Sequence, residues 1–357
     1  MQFIYEYGLF LAQAVTLVAA ILILVAGLFS IGQKQKADQQ EGHIEIRNLN
    51  EKYDHISSTI AQVVSDPEML KVQHKEEKKQ EKSKAKASKK AAKKAVKNKD
   101  EEPAEHRKKL FVLAFDGDMK ASATDNLREE VSAVLPQVQE GDEILVKVES
   151  PGGLVHSYGL AASQLKRITE ANVPLTIAVD KVAASGGYMM ACVANRIIAA
   201  PFAVIGSIGV LAQLPNFHRL LKKHDIDFEL LTAGEYKRTL TVFGENTDKG
   251  REKFVEELEE THELFKDFVG TNRPSLDIAK VATGEVWYGQ NALGAGLVDE
   301  LQTSDGFVQA RIKDWDVFEV KFTHKKNWQE KLGMAAEGAM ERSFLKLWQR
   351  GQDRGSY

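Results

Sequence analysis

From Lys109 onward, short apolar runs alternate with longer stretches whose apolar residues recur at helical spacing. Leu110-Phe111-Val112-Leu113-Ala114-Phe115 opens the series, and Ile144–Val148, Leu175–Val179 and Arg196–Ala199 continue it. Runs of four to six apolar residues between polar breaks predict buried strands. A helix is expected from about Val155. A longer one, from Arg251 to Val269, is charged on one side and carries Phe254, Leu258, Leu264, Phe265 and Phe268 on the other. Strands alternating with amphipathic helices predict an α/β domain with a mostly parallel sheet. Tyr188 to Leu211 is apolar enough to be mistaken for a membrane span. Asn195 and Arg196 interrupt it, and Pro201 and its glycines break it, so it is expected as buried core.

The N-terminal part follows another pattern. Gly8 to Ile31 is apolar apart from Gln13, Thr16 and Ser30, long enough to cross a bilayer core of about 30 Å. A cleaved signal peptide would open with basic residues and end at a small-residue site; here Glu6 precedes the stretch, with no lysine or arginine before it. An uncleaved transmembrane anchor over 8–31 is expected. Lys34, Lys36, Arg47 and Lys52 follow it, which by the positive-inside rule puts the C-terminal side in the cytoplasm. Glu45 to Val64 carries Ile46, Leu49, Tyr53, Ile56, Ile60 and Val63 at helical spacing, a helical stalk or a surface for a neighbouring subunit. Lys75 to Lys99 is dominated by lysine and alanine. It lacks the apolar surface to fold alone and reads as a solvated linker. The layout is an anchor at 8–31, stalk and charged linker at 32–108, the α/β domain at 109–324 and an amphipathic tail at 325–357.

Composition removes several classes of function. The chain has 357 residues, a net charge of −3 and one cysteine, Cys192, so it forms no intrachain disulfide. No His/Cys cluster has metal-ligand spacing and no Walker loop is present, so neither metal nor cofactor is expected. The lysine-rich segment has no interleaved aromatics for base stacking, which argues against nucleic acid and leaves anionic lipid headgroups as a match for its charge.

The candidate chemistry centres on Ser185, within Ala183-Ala184-Ser185-Gly186-Gly187-Tyr188. An apolar strand leads in and a small-residue helix leads away. A serine at such a junction is presented as a nucleophile, and the helix start supplies free N–H groups, that of Gly186 among them. The bland reading of Ser-Gly-Gly is a plain turn. A second segment, Glu149-Ser150-Pro151-Gly152-Gly153-Leu154, also follows a strand and precedes a helix, and its glycines can aim a second N–H at the same oxyanion. A serine needs a base. No histidine sits in a glycine-rich loop after a strand, although His156 lies one turn past the Gly-Gly loop. Lys237 does, because Phe228-Glu229-Leu230-Leu231 reads as a strand running into Ala233-Gly234-Glu235-Tyr236-Lys237. A lysine serves as a base where burial lowers its pKa.

Ser-Pro-Gly-Gly, Ala-Ser-Gly-Gly-Tyr, Gly-Ser-Ile-Gly-Val and Gly-Glu-Tyr-Lys, in that order, resemble the signal peptide peptidase A family of Ser-Lys peptidases. Lys237 follows Ser185 by 52 residues, which suits that family's single-repeat members, and Thr283 to Asp299 is similar to its closing signature. The resemblance covers about Leu110 to Leu301. The N-terminal span and lysine-rich insert resemble a branch of bacterial inner-membrane proteases. The resemblance implies a ClpP/crotonase-like spiral of βαβ units. It implies Ser185 as nucleophile, Lys237 as general base, and Gly186 with Gly152 or Gly153 as oxyanion donors. It implies that Ser207 orients the lysine amine. It further implies a homo-oligomeric ring whose sites take the serine from one subunit and the lysine from its neighbour. Related peptidases work on the outer face of the membrane, against the charge rule, so the side stays open.

The resulting expectation is a membrane-anchored serine endopeptidase acting through an acyl-enzyme on hydrophobic peptides or membrane-protein remnants. Two other classes stay open on the residues alone: a crotonase-like acyl-CoA enzyme, with carboxylates doing proton transfer, and a non-catalytic scaffold on a peptidase fold.

Overall fold

The apolar runs become strands wherever a neighbouring run can satisfy their backbone groups. In order, the elements are β1 Gly42–Asn48, α1 Leu49–Val64, β2 Lys109–Asp116, α2 Thr124–Val134, β3 Glu143–Glu149, α3 Val155–Glu170, β4 Leu175–Val179, β5 Val182–Ala184, α4 Gly186–Ala191, β6 Arg196–Ala199 and β7 Val204–Gly206. They continue with α5 His218–Lys223, α6 Asp248–Asn272, α7 Ile278–Val281, β8 Val286–Tyr288, α8 Gly289–Gly294, β9 Glu300–Leu301, α9 Ser304–Arg311 and β10 Asp316–His324. The structure is a computed structural model and describes Thr16, residues 42–64 and residues 107–324. The expected anchor (apart from Thr16), the lysine-rich linker and the C-terminal tail lie outside the described residues. No helix among the described residues is long and apolar enough to cross a membrane.

The chain divides into two compact units, residues 46–321 and a smaller one of 1–45 with 322–357. The larger is mixed α/β. The main sheet has seven strands in the order β1-β10-β2-β3-β4-β6-β9, and every pairing from β10 to β9 is parallel. A second sheet, β5-β7-β8, has one parallel and one antiparallel pairing. Parallel strands need a crossover element between them, and the helical periodicity supplies it. In α3 the buried residues are Tyr158, Ala161, Ala162, Leu165 and Ile168, the stripe that period 3.6 dictates. β4 is buried at all five positions, as a central parallel strand covered on both faces must be. Leu110, Leu113, Ile144, Leu145, Leu165, Ile168 and Leu175 are among the largest fully buried side chains. Each contributes about 1.5–3 kcal/mol relative to exposure.

Two polar pins close the fold. Arg273, following α6, makes a bidentate ion pair with Asp299 at 2.9 and 2.7 Å. Asp299 also accepts from the Ile197 N–H at 2.7 Å, tying the helix end to β6. Asp180, just past β4, accepts from both the N–H and the hydroxyl of Ser304 at 2.8 and 2.6 Å, which anchors the start of the loop leading to Ser185.

The first half of α1 packs on this domain. Leu49 belongs to a core cluster with Leu110, Val112, Phe307 and Val317, and Tyr53 lies against it. The Asn50 side chain donates to the Ile312 and Trp315 carbonyls and accepts from the Val317 N–H. Ile56, Ile60 and Val63, further along α1, are exposed. The expected strand at Phe228–Leu231 does not form. Those four residues are exposed and irregular, because no strand among the described residues offers them a hydrogen-bond ladder. Phe228 instead packs at a tilt against Phe243, which stacks on Phe217.

Candidate active site

Ser185 stands where β5 stops and α4 begins. Its backbone lies at φ 52°, ψ −118°, in positive-φ territory that costs a residue with a Cβ about 1–3 kcal/mol. The surroundings enforce it: the Ser185 N–H donates to the Gly206 carbonyl at 2.7 Å and its carbonyl accepts from Met189 at 2.9 Å. The side chain is half-buried, between a wholly buried α4 and solvent. Gly186, the first residue of α4, has an N–H with no intrahelical acceptor.

The Ser-Pro-Gly-Gly loop lies directly against this turn. Ser150 forms a parallel bridge with Ala183, donating its N–H to Val182 and accepting from Ala184. Gly152 takes φ +92°, and a methyl there would come within 2.7 Å of Ser185 Cβ and 2.8 Å of the Gly186 nitrogen. Only glycine allows that approach. The Gly152 N–H donates to Ser150 Oγ at 3.1 Å, and the Leu154 N–H donates to the Met119 carbonyl at 2.9 Å. Between them, the Gly153 N–H has no acceptor among the described residues.

Beneath the loop runs a hydrogen-bond chain that the sequence reading missed. Tyr158 OH donates to the Asp118 carbonyl at 2.8 Å and lies 2.6 Å from Ser150 Oγ. Tyr158 and Ser150 are both fully buried. Burial raises the Tyr158 phenol above its ordinary pKa, while the Ser150 hydrogen bond pulls the other way. The phenol therefore stays protonated at neutral pH. Tyr158 is the fourth residue of α3, on the stripe that faces the core; the sequence predicts a helix from about Val155 and singles out neither this side chain nor its polar contacts.

The remaining candidates divide. Ser207 follows the carbonyl that holds Ser185. It is half-buried at φ 51°, and its N–H donates to Glu285 at 2.7 Å. His262, on α6, reaches the same loop at the Ile208 carbonyl, 3.3 Å away. His156 is exposed. Lys237 lies in a tight turn closed by its N–H on the Gly234 carbonyl at 3.2 Å, with Gly234 at φ +97°. Its side chain is exposed and makes no hydrogen bond or ion pair to Ser185 among the described residues. Within one chain the Ser185 turn and the Gly152–Gly153 loop meet, and the Lys237 turn lies in an exposed segment that includes Leu211, Leu220, Ile226, Leu231 and Tyr236. Cys192, in the apolar interior behind α4, has its thiol pushed up to about 12 by burial and is unreactive.

Comparison with known proteins decides the lineage. The family description for the N-terminal part of peptidase family S49 matches residues 2–165, and that for peptidase family S49 matches residues 167–317. The chain belongs to peptidase family S49. It is 51% identical over 331 residues to a probable protease SohB of Haemophilus influenzae, covering 93% of this chain and 92% of that one. It is 47% identical over 311 residues to a probable protease SohB of Buchnera aphidicola, covering 87% and 100%. Among solved structures it is similar to a membrane-bound stomatin-specific protease in complex with a substrate peptide. That match has a TM-score of 0.40 and 12% identity over 63% of this chain and 96% of the other. The chain is thus a serine peptidase of family S49.

Proposed function

We propose that this chain is a membrane-anchored serine endopeptidase in which Ser185 is the nucleophile and Lys237, supplied by a neighbouring copy, is the general base. The observation that carries the reading is the strained Ser185 turn with Gly152 packed on it. A positive-φ serine is retained there at a cost in stability, next to two loops whose glycines leave the Gly186 and Gly153 N–H groups available. Supply in trans is supported by the exposed Lys237 turn and the apolar side chains of the arm around it.

Lys237 of the neighbouring copy takes the proton from Ser185 Oγ, and the oxygen attacks a peptide carbonyl carbon. Gly186 and Gly153 donate to the resulting oxyanion, each well-placed donor contributing roughly 3–4 kcal/mol. The C–N bond breaks and the leaving nitrogen takes the proton from the lysine ammonium. Water then adds to the serine ester by the same route and frees the acid. Ser207, one residue beyond the carbonyl that fixes Ser185, orients the lysine amine. The chain is a ClpP/crotonase-like spiral that assembles as a ring, held to the inner membrane by residues 8–31.

The substrates proposed are hydrophobic peptides. Ala183, Ala184 and Met189, which adjoin the nucleophile in sequence, are buried. Met119, Leu154 and Val155, joined by the Met119–Leu154 hydrogen bond beside Gly153, are exposed and offer the apolar surface. The test is cleavage of an unfolded protein by detergent-purified full-length chain. Ser185→Ala and Lys237→Ala are each expected inactive, while oligomers formed by mixing and reassembling the two variants regain cleavage. Mixed oligomers as inactive as either parent, with assembly intact, would refute supply in trans.

A further inference from the structure

We infer that Tyr158 and Ser150 are positioning residues for transition-state stabilisation, holding both halves of the oxyanion site through one buried hydrogen-bond chain. The inference rests on the serine-peptidase mechanism proposed above.

The chain has a single possible polarity. The Asp118 carbonyl can only accept, so the Tyr158 proton points to it at 2.8 Å. Ser150 must then give its own proton to the Tyr158 oxygen across 2.6 Å. Its oxygen is left free to accept from the Gly152 N–H at 3.1 Å. The order is Gly152 N–H, Ser150 O–H, Tyr158 O–H, Asp118 carbonyl, each group donating to the next. Asp118 is itself fixed, its carboxylate accepting from the Lys120 and Ser122 N–H groups and the Ser122 hydroxyl. That bonding holds the Asp118 carboxyl below its ordinary pKa, the Ser122 N–H being the first cause.

This polarity turns the Gly152 N–H inward. The φ of +92° at Gly152 and the inward N–H together present the next amide, that of Gly153, to an incoming carbonyl oxygen. The same tyrosine sets the other donor. A methyl on Gly186 would fall 2.3 Å from Tyr158 Cγ, so the ring lies flush against the Gly186 backbone. One side chain therefore contacts the Gly186 peptide through its ring and steers the Gly153 peptide through its hydroxyl. Gly117 completes the arrangement. A methyl there would sit 2.5 Å from both Ser150 Oγ and Tyr158 OH, leaving no room for a side chain over the chain of hydroxyls.

Tyr158→Phe keeps the ring, its edge contact with Phe115 and its seat on Gly186, and removes only the link between Ser150 and Asp118. Ser150→Ala removes the acceptor for Gly152. The experiment uses the full chain in detergent, with a fluorogenic hydrophobic peptide, a peptide aldehyde that forms a tetrahedral adduct, and an uncleavable ground-state peptide. Both variants are expected to lose about 10- to 100-fold in kcat with KM within twofold, a fraction of the 10²–10³ lost when an oxyanion donor is deleted outright. Aldehyde affinity should fall by the same factor while the ground-state peptide binds as before. The double variant should lose no more than the worse single one, because both break one chain. Wild-type kcat in either variant, equal loss of aldehyde and ground-state binding, or additive losses would overturn the inference. Ser185→Ala, run alongside, separates the two claims: if it still cleaves, the peptidase mechanism falls first and this inference with it.

Discussion

Replacing Ser185 by glycine should make the protein more stable than replacing it by alanine, although both remove the hydroxyl. The reason is backbone geometry. At φ 52°, ψ −118°, alanine keeps the Cβ that makes this conformation cost about 1–3 kcal/mol, and glycine does not. Glycine in turn loses about 0.4–1 kcal/mol through its greater freedom in the unfolded chain. The difference favours Ser185→Gly by up to about 2.6 kcal/mol, or up to roughly 10 °C in Tm for a domain of this size. Thermal unfolding of both full-length variants in one detergent, with assembly checked, measures it. Ser163, exposed in the middle of α3, is the control. There Ser163→Gly should be less stable than Ser163→Ala by about 1 kcal/mol, the ordinary helical order. If glycine at 185 were no more stable than alanine, the strain argument would be wrong, and with it the claim that the turn is held for function.

Further expectations follow from the same geometry. Gly152→Ala drives a methyl to 2.7 Å from Ser185 Cβ at a positive φ; peptide hydrolysis should fall by about 10²–10³, as for loss of one oxyanion donor, with the oligomer intact by size-exclusion chromatography. Burial pushes the Asp299 carboxyl up, but the Arg273 hydrogen bond, the Ile197 N–H and the arginine charge outweigh it and leave its pKa lowered. Its contribution to stability is therefore complete above the ordinary carboxylate pKa of about 3.9 and is lost as pH falls toward the lower folded value. Asp299→Asn should flatten that acid limb in pH-dependent unfolding. Arg273→Leu, which strands a partly buried carboxylate, should cost about 3–5 kcal/mol near neutral pH. Leu154→Ser should raise KM for peptides with large apolar residues far more than for alanine-rich peptides, as measured with a matched peptide panel.

The strands and the two glycine loops were readable because each is a local pattern. Leu175–Val179 and Arg196–Ala199 are strands at the expected residues, and Glu143–Glu149 extends the expected one by a residue at each end. An apolar run flanked by polar breaks needs only its neighbours to be recognised. Phe228–Leu231 has the same local pattern and forms no strand, since pairing depends on a partner elsewhere in the chain, and the described residues offer none. β1 and β10 escaped notice for the converse reason. Gly42–Asn48 alternates apolar and charged residues and overlaps the start of the helical stretch expected from Glu45 to Val64, and only the sheet edge makes it a strand. In the site, Ser185, Gly186, Gly152 and Gly153 announced themselves through glycine spacing. Tyr158 and Gly117 did not, because their roles arise from contacts 8 and 33 residues away from them, at Ser150.

The central claim is that Ser185 is the activated nucleophile, and covalent labelling tests it most directly. Full-length protein in detergent is treated with a fluorophosphonate probe, and the modified serine is located by peptide mass spectrometry. The account predicts one adduct, on Ser185, lost in Ser185→Ala and strongly slowed in Lys237→Ala. An adduct on Ser150 or Ser207 instead, or labelling of Ser185→Ala at the wild-type rate, would contradict it.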